Sequence, residues 1–247
     1  MNTINWDKVK IRCSSLGSLF TEPVTKEAKA AGELSKTAKT HLIEVYAREL
    51  WGVEKDIVTK QMQKGRDAEL EAIKMLSMLD GELHSKNQDE AENGFIRGHA
   101  DIVEAERITD TKCSWDAFSY LPKLLEEVDK GYFYQIQGYM WLWDKPKGRI
   151  SYLLVDTPEN IIAGERYRLL RSMDVATEDN TEFVKAAAKL ESNMRFSHIP
   201  PELRAIHHYV DRDESVIEKI PAKVQKAREF LSELYGKHMN LGNGSTS

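Results

Sequence analysis

Asp101, Asp110 and Lys112 are the side chains of this sequence whose types and spacing are best suited to chemistry. The first ends the run Gly98-His99-Ala100-Asp101, and nine positions later comes Asp110-Thr111-Lys112. Val, Ile, Phe and Thr dominate residues 94–113, while Glu104-Ala105-Glu106-Arg107 interrupts them, so the pattern predicts two strands joined by a tight connection. Successive strand side chains point to opposite faces, which puts Asp110 and Lys112 on the same one. A fold-back near residues 104–107 sets Asp101 across from that pair. Two carboxylates and an ammonium then converge, an arrangement suited to a hard divalent cation held through oxygen with Lys112 left free beside it. The plainer alternative is a salt-bridged hairpin in which Lys112 only pairs with Asp101 or Asp110.

The rest of the chain must supply the elements that hold this cluster. Residues 38–52 carry Leu42, Val45, Tyr46 and Leu50 at near-helical spacing, and Gly52 stops the segment as a C-cap glycine does. A second helix is predicted over 58–79, with Met62, Leu70, Ile73, Met75, Leu76 and Leu79 as its apolar face and Gly81 closing it. Glu69 falls inside that helix, next to Ala72, whose small side chain permits close approach to a sheet. Residues 116–126 and 132–143 also read as helices. In the second of these Gln135 and Gln137 are two apart, so they cannot share one narrow face. Its aromatic run, Tyr132, Phe133, Tyr134, Tyr139, Trp141 and Trp143, reads as core rather than as a base-stacking surface. Residues 148–155 alternate as a strand does, 159–174 and 180–195 read as helices, and 203–210 as one more strand. His207 and His208 are adjacent on that strand and face opposite sides, which argues against a shared ion. A last amphipathic helix over 214–238, interrupted near Pro221, leads to a flexible tail at 240–247.

Composition sets the outer limits. The 247 residues are 41% hydrophobic and 30% charged, with a mean hydropathy of −0.52. This describes an ordinary globular protein, expected as a single domain over residues 1–239. No apolar stretch approaches the ~20 residues needed to span a bilayer, and Asp7 and Lys8 interrupt the N-terminal segment, so neither a membrane anchor nor a signal peptide is expected. The two cysteines, Cys13 and Cys113, are too few for an iron–sulfur cluster or a disulfide framework, and Cys113 reads as a small buried residue at a strand end. A net charge of −5 and a pI near 5.9 argue against nonspecific coating of nucleic acid but permit a local basic groove. Candidates for that groove are Arg12, Lys36, Lys39, Lys60, Lys64 and Arg66, each of which has a simpler reading as a solvated surface charge.

The D-x(n)-D-x-K pattern resembles the PD-(D/E)XK nuclease superfamily, and three further segments narrow the likeness to the phage lambda exonuclease and YqaJ-type viral recombination nucleases. Gly65-Arg66-Asp67-Ala68-Glu69-Leu70-Glu71-Ala72 is similar to the G-x-x-x-E-x-x-A helix of that family. Tyr134-Gln135-Ile136-Gln137-Gly138-Tyr139-Met140-Trp141 is similar to its Q-x-Q-x-x-M-W helix, and Ile11-Arg12-Cys13-Ser14-Ser15 is weakly similar to its phosphate-contacting segment. The likeness covers residues 10–155. Two positions depart from it: the second acid is Asp110 where the exonucleases usually have Glu, and Ala100 stands where Pro is often found.

The resemblance implies an α/β (α+β) restriction-endonuclease-like core, a central mixed β-sheet flanked by helices. It implies that Asp101 binds or bridges one or two ions, with Asp110 and the backbone carbonyl of Thr111 completing the set and Glu69 holding a second ion or its water. Mg2+ is the expected metal, with Mn2+ able to substitute, because every donor is a hard oxygen. Lys112 would orient or deprotonate the attacking water, with a pKa lowered by the nearby ion. Gln135 would face the site, and Gln137 would be packed. Arg12, Ser14 and Ser15 would form a pocket for a DNA 5′-phosphate, against the alternative of an N-cap serine beside an unrelated arginine; Arg66 would join them in DNA binding.

The implied activity is digestion of linear double-stranded DNA from its ends, 5′ to 3′, in phage-type recombination or repair. The implied assembly is a homo-oligomer, usually a trimeric ring, working in the bacterial or infected-host cytoplasm with a single-strand annealing protein. An endonuclease or junction-resolving relative is a second possibility, and a catalytically silent DNA-binding module a third. The intact set of Asp101, Asp110 and Lys112 speaks against the last.

Overall fold

Strand-forming residues sort into two mixed sheets in the computed structural model, which describes residues 4–55 and 58–243. The smaller sheet has the order β1-β3-β2, from β1 (Ile11–Arg12), β2 (Ala91–Glu92) and β3 (Ile96–Gly98). The larger runs β4-β5-β6-β7, from β4 (Ile102–Val103), β5 (Arg107–Cys113), β6 (Lys147–Leu153) and β7 (Ala205–Asp211). β5 and β6 are parallel and both outer pairings are antiparallel. The predicted hairpin is therefore present but shorter than expected. Residues 96–98 leave it to pair with β1 and β2, and only Ile102 and Val103 pair back onto β5.

Helices cover the larger sheet on both sides. Ahead of it come α1 (Leu16–Leu19), α2 (Lys26–Ala30), α3 (Lys36–Trp51), α4 (Lys60–Asp67) and α5 (Glu69–Asp80). Gly52 and Gly81 end α3 and α5 in the left-handed conformation, as their sequence positions predict. The helix expected over 58–79 is broken at Ala68, because its halves bury different things. α4 is polar, carries Gly65 and turns only Lys64 inward, whereas α5 lays Ala72, Ile73, Met75 and Leu76 against the sheet. Met62 and Leu70, expected on one apolar face, are exposed as a result.

The parallel crossover from β5 to β6 contains α6 (Ala117–Tyr120) and α7 (Lys130–Leu142). The helix expected over 116–126 is only one turn long. Asp116 and Ser119 close a capping box on α6, and Pro122, which has no N–H to offer, turns the chain into a 3-10 segment. α7 packs on the face of the larger sheet that carries Ile108 and Ile150, sharing with them a core that reaches from Trp6 to Leu231. α5 covers the other face through Ile102, Leu153 and Val155.

After β6 come α8 (Glu159–Ser172) and α9 (Thr181–Ser192), then β7, α10 (Glu214–Ile217) and α11 (Ile220–Asn243). The tail expected from residue 240 is helical as far as Asn243, and residues 244–247 lie outside the described ones. Among the described residues no helix is long and apolar enough to cross a membrane.

Candidate active site

The shortness of β4 creates the site. Pairing on that side of β5 reaches Ile102↔Thr109 and stops, so β5 continues to Cys113 with one edge open. Asp101, one residue ahead of β4, fills the start of the gap. Its Oδ2 accepts the Thr111 N–H at 2.6 Å and the Thr111 hydroxyl at 2.7 Å. The N–H and C=O of one strand residue point to the same side, so the Thr111 carbonyl faces this open edge too.

Asp110 and Lys112 share the α7 face of β5. Asp110 is 3% exposed, and its Oδ1 accepts from Gln135 Nε2 at 3.2 Å. Its Oδ2 is buried without a well-aligned hydrogen-bond donor, the Lys112 Nζ lying 2.6 Å away as an ion pair. Burial pushes the Asp110 carboxyl up to about 6; Lys112 pulls it down, and the charges of Asp101 and Glu69 add to the rise. Burial opposes the Lys112 charge as well, but Asp110 outweighs it and the amine lies above its ordinary value. The chain's own charges thus raise Lys112, and the lowering expected from a bound ion would act against them. Its Nζ also sits 4.4 Å from the centre of the Tyr132 ring, within range of a cation–π contact.

Glu69 is the first residue of α5, where the partial positive charge of a helix N-terminus favours a carboxylate. Its Oε2 is 2.6 Å from Lys86 Nζ. Glu69, Arg66, Asp101, Asp110, Thr111, Lys112 and Gln135 all line one cleft of about 500 Å³. Another cavity, of about 520 Å³, lies against the other flank of α5 and shares none of these side chains.

Tyr139 and Tyr132 line the same cleft and were read from the sequence only as packing aromatics. Gln135 donates to the Tyr139 hydroxyl at 2.9 Å, and the four-residue spacing of this pair on one helix was the available signal. Tyr139 is pressed from behind by β3: a Cβ added to Gly98 would lie 2.6 Å from its ring. Gln137 points elsewhere, joining α7 to the end of β7 through the Asp211 carbonyl and the Asp213 N–H, each at 2.9 Å.

The residues suggested for end recognition do not line this cleft. Arg12 pairs with Glu54 at 3.0 Å, while Ser14 and Ser15 occupy the 3-10 turn Cys13–Ser15. Ser15 precedes α1 but makes no capping bond, so the N-cap alternative is not what the structure contains. Lys64 is not a groove residue. It is fully buried, donates to the Trp115 carbonyl at 2.9 Å, and burial brings its amine down to about 8. Lys60 is paired with Glu165 at 2.7 Å. Cys113 is half-buried, with a thiol pushed by burial up to about 12. His207 and His208 have separate partners, Ser151 and the Lys123 carbonyl.

The donor set can be tested for a cation. Among the described residues no three His, Cys, Asp or Glu side chains group as a ready-made metal cage. Two carboxylates and a backbone carbonyl at an open strand edge nevertheless suit a hard ion that keeps water ligands. The burial of Asp110 is the strongest sign, since a carboxylate withdrawn from water beside two further acids, Asp101 and Glu69, is costly unless positive charge offsets it.

Helices on both faces of a mixed sheet, with this cluster at the open edge of a central strand, define a restriction-endonuclease-like fold. The chain is similar to a phage-related exonuclease from Haemophilus somnus 129PT, with 31% identity, a TM-score of 0.73, and 94% of this chain and 97% of that one covered. An alkaline exonuclease from Laribacter hongkongensis is similar at 13% identity and a TM-score of 0.61, covering 96% of this chain and 95% of that one. Its complex with dAMP matches at 13% identity and a TM-score of 0.59, covering 95% and 92%. At such identity the Laribacter enzyme supports the fold alone. No protein-family model matches the sequence, and no curated protein matches it significantly. The chain belongs to the phage-related exonucleases of the lambda and YqaJ type.

Proposed function

We propose that this protein is a Mg2+-dependent deoxyribonuclease that digests linear double-stranded DNA from its ends, 5′ to 3′, in phage-type homologous recombination or repair. The observation that carries the reading is Asp110. It is a buried carboxylate held between the Lys112 ammonium and the Gln135 amide, beside Asp101 in a single cleft. Asp101, Asp110 and the Thr111 carbonyl would hold Mg2+, or Mn2+ in its place, and the bound ion would supply Lewis acidity toward the phosphodiester and acidify the attacking water.

The chain's own groups do the rest. Lys112 orients the attacking water through Nζ and offsets the negative charge that grows on the phosphate oxygens. Gln135 holds Asp110 in place through Oδ1, and Tyr139 in turn holds Gln135. Arg66, on the cleft wall, neutralises a backbone phosphate, and Arg12, Ser14 and Ser15 receive the 5′-phosphate some way from the cut. We further propose a homo-oligomer, with a trimeric ring as the leading form, acting in the bacterial or phage-infected cytoplasm with a single-strand annealing protein.

The test is substrate topology. Linear duplexes with 5′-phosphate, 5′-hydroxyl or blocked ends, and a covalently closed circle, are incubated with Mg2+ and with EDTA. The expected result is metal-dependent loss of the linear forms, fastest from 5′-phosphate, with the circle spared. Cutting of the circle points instead to an endonuclease, and binding without cutting to a silent module.

A further inference from the structure

Lys86 forms a 2.6 Å ion pair with Glu69, the acid expected to hold a second ion or its water. It is not a loosely tethered surface lysine. His84, two residues before it, is fastened through its N–H to Ser77 Oγ at 3.0 Å and through Nε2 to Asp80 at 2.6 Å. Asn87, directly after it, donates its N–H to the carbonyl of Asp101 at 2.8 Å and its side-chain amide to that of Ala100 at 3.0 Å. The backbone carrying Lys86 is therefore bonded to the segment that carries Asp101. The side chains are 30% and 18% exposed, so the pair is partly withdrawn from water.

On the reading that Asp101 and Asp110 take a divalent cation, we infer that Lys86 occupies the place of a second one, so that the protein binds a single ion per chain. Charge supports this. Asp101, Asp110 and Glu69 are matched by Lys112, Lys86 and the cleft-wall Arg66, so the acids are already balanced and a single divalent ion over-neutralises them. A second ion must displace an ammonium held at 2.6 Å and then sit close to it, a like-charge contact in a partly desolvated cleft. An ammonium on a fixed loop is also a permanent positive charge that needs no metal supply. Glu69 becomes on this account a positioning residue that holds Lys86.

Titration calorimetry of the whole protein with Mn2+ alone, together with the electron paramagnetic resonance spectrum of the bound Mn2+, tests the inference. Wild type is expected to take up one equivalent and show an uncoupled signal. Lys86→Met should take up two equivalents and show spin coupling between neighbouring ions. Lys86→Arg keeps the charge and should return to one, as should the double variant Lys86→Met/Glu69→Gln, which removes the second ion's ligand. Circular dichroism confirms that each variant is folded, and failure of Lys86→Met to fold leaves Lys86→Gln as the neutral test. Two equivalents in wild type overturn the inference while leaving the metal reading intact, as does one equivalent in every neutral variant. No Mn2+ uptake by wild type overturns the metal reading, and this inference with it.

Discussion

Asp101 and Lys112 both belong to the cluster but carry different loads, and the difference can be measured. Asp101 accepts two hydrogen bonds from Thr111, so it holds the open edge of β5 as well as facing the cleft. Asp101→Ala is expected to lose activity and also about 1–3 kcal/mol of stability, the cost of leaving buried donors unmade. On the proposed mechanism Lys112 bears on the reaction more than on the fold. Lys112→Ala should lower the cleavage rate about 10²–10⁴-fold, the range for a positioned proton-handling group, with DNA affinity changed only a few-fold. Urea unfolding midpoints beside single-turnover rates separate the two roles, and equal loss of binding and rate in Lys112→Ala would refute the one given to Lys112. Residue types and strand alternation were enough to place Asp101, Asp110 and Lys112 together. Lys86 was not legible, because its place depends on a loop whose bonds to Ser77, Asp80, Ala100 and Asp101 form only once the chain has folded.

The β4–β5 hairpin is braced from its other face by a buried polar network. Arg149 on β6 is 1% exposed, donates to Asp80 Oδ2 at 2.7 Å and reaches Thr109 at 3.1 Å. Thr109 donates to Glu104, which also receives Arg107 through both of its oxygens. Burial alone would raise the Asp80 and Glu104 carboxyls, yet both lie below their ordinary values, Asp80 through Arg149 and His84 and Glu104 through Arg107 and Thr109. Because the folded values are depressed, the stabilisation is complete above the unfolded carboxylate range, about 4, and is lost as pH falls through the lower folded values. Asp80→Ala should therefore cost about 3–5 kcal/mol at neutral pH, where it strands the Arg149 charge, and the gap from wild type should narrow below about pH 4. Thermal melts from pH 7 to pH 2 read this out; a gap independent of pH would remove Asp80 from the network. The same elements show where periodicity misleads. It located β5, α7 and β6 well, but it joined α4 to α5 across Ala68 because both halves keep helical spacing while burying different faces. It also ran β3 into the hairpin, since strand propensity does not say which neighbour a strand will pair with.

At the scale of the whole molecule, the two ends of the chain share one core. Trp6 stacks on Tyr46 at 5.1 Å and meets Tyr235 of α11 at 5.8 Å, while Tyr46 bonds His238 at 2.8 Å. Arg228 of α11 donates to the Val9 carbonyl at 3.0 Å and the Gly94 carbonyl at 2.6 Å, so the last helix holds the strand segments on both sides of the β1–β3 pairing. Val224, Ala227 and Leu231 then bury against the same cluster as Ile108 and Ile150 of the larger sheet. An element packed in this way has no core of its own to retain when the rest unfolds, so the single domain expected from the sequence can be tested by cooperativity. Arg228→Met removes both carbonyl contacts while keeping the apolar stem, and should cost about 2–3 kcal/mol without changing the number of transitions. Near-ultraviolet circular dichroism follows the aromatic packing and the far-ultraviolet signal follows the helices. In wild type and variant alike the two should trace one coincident urea transition, displaced to lower denaturant in the variant. If α11 and the N-terminal segment instead melt in a separate, earlier step that leaves β5 to β7 intact, the chain is two cooperative units, and the single-domain reading fails.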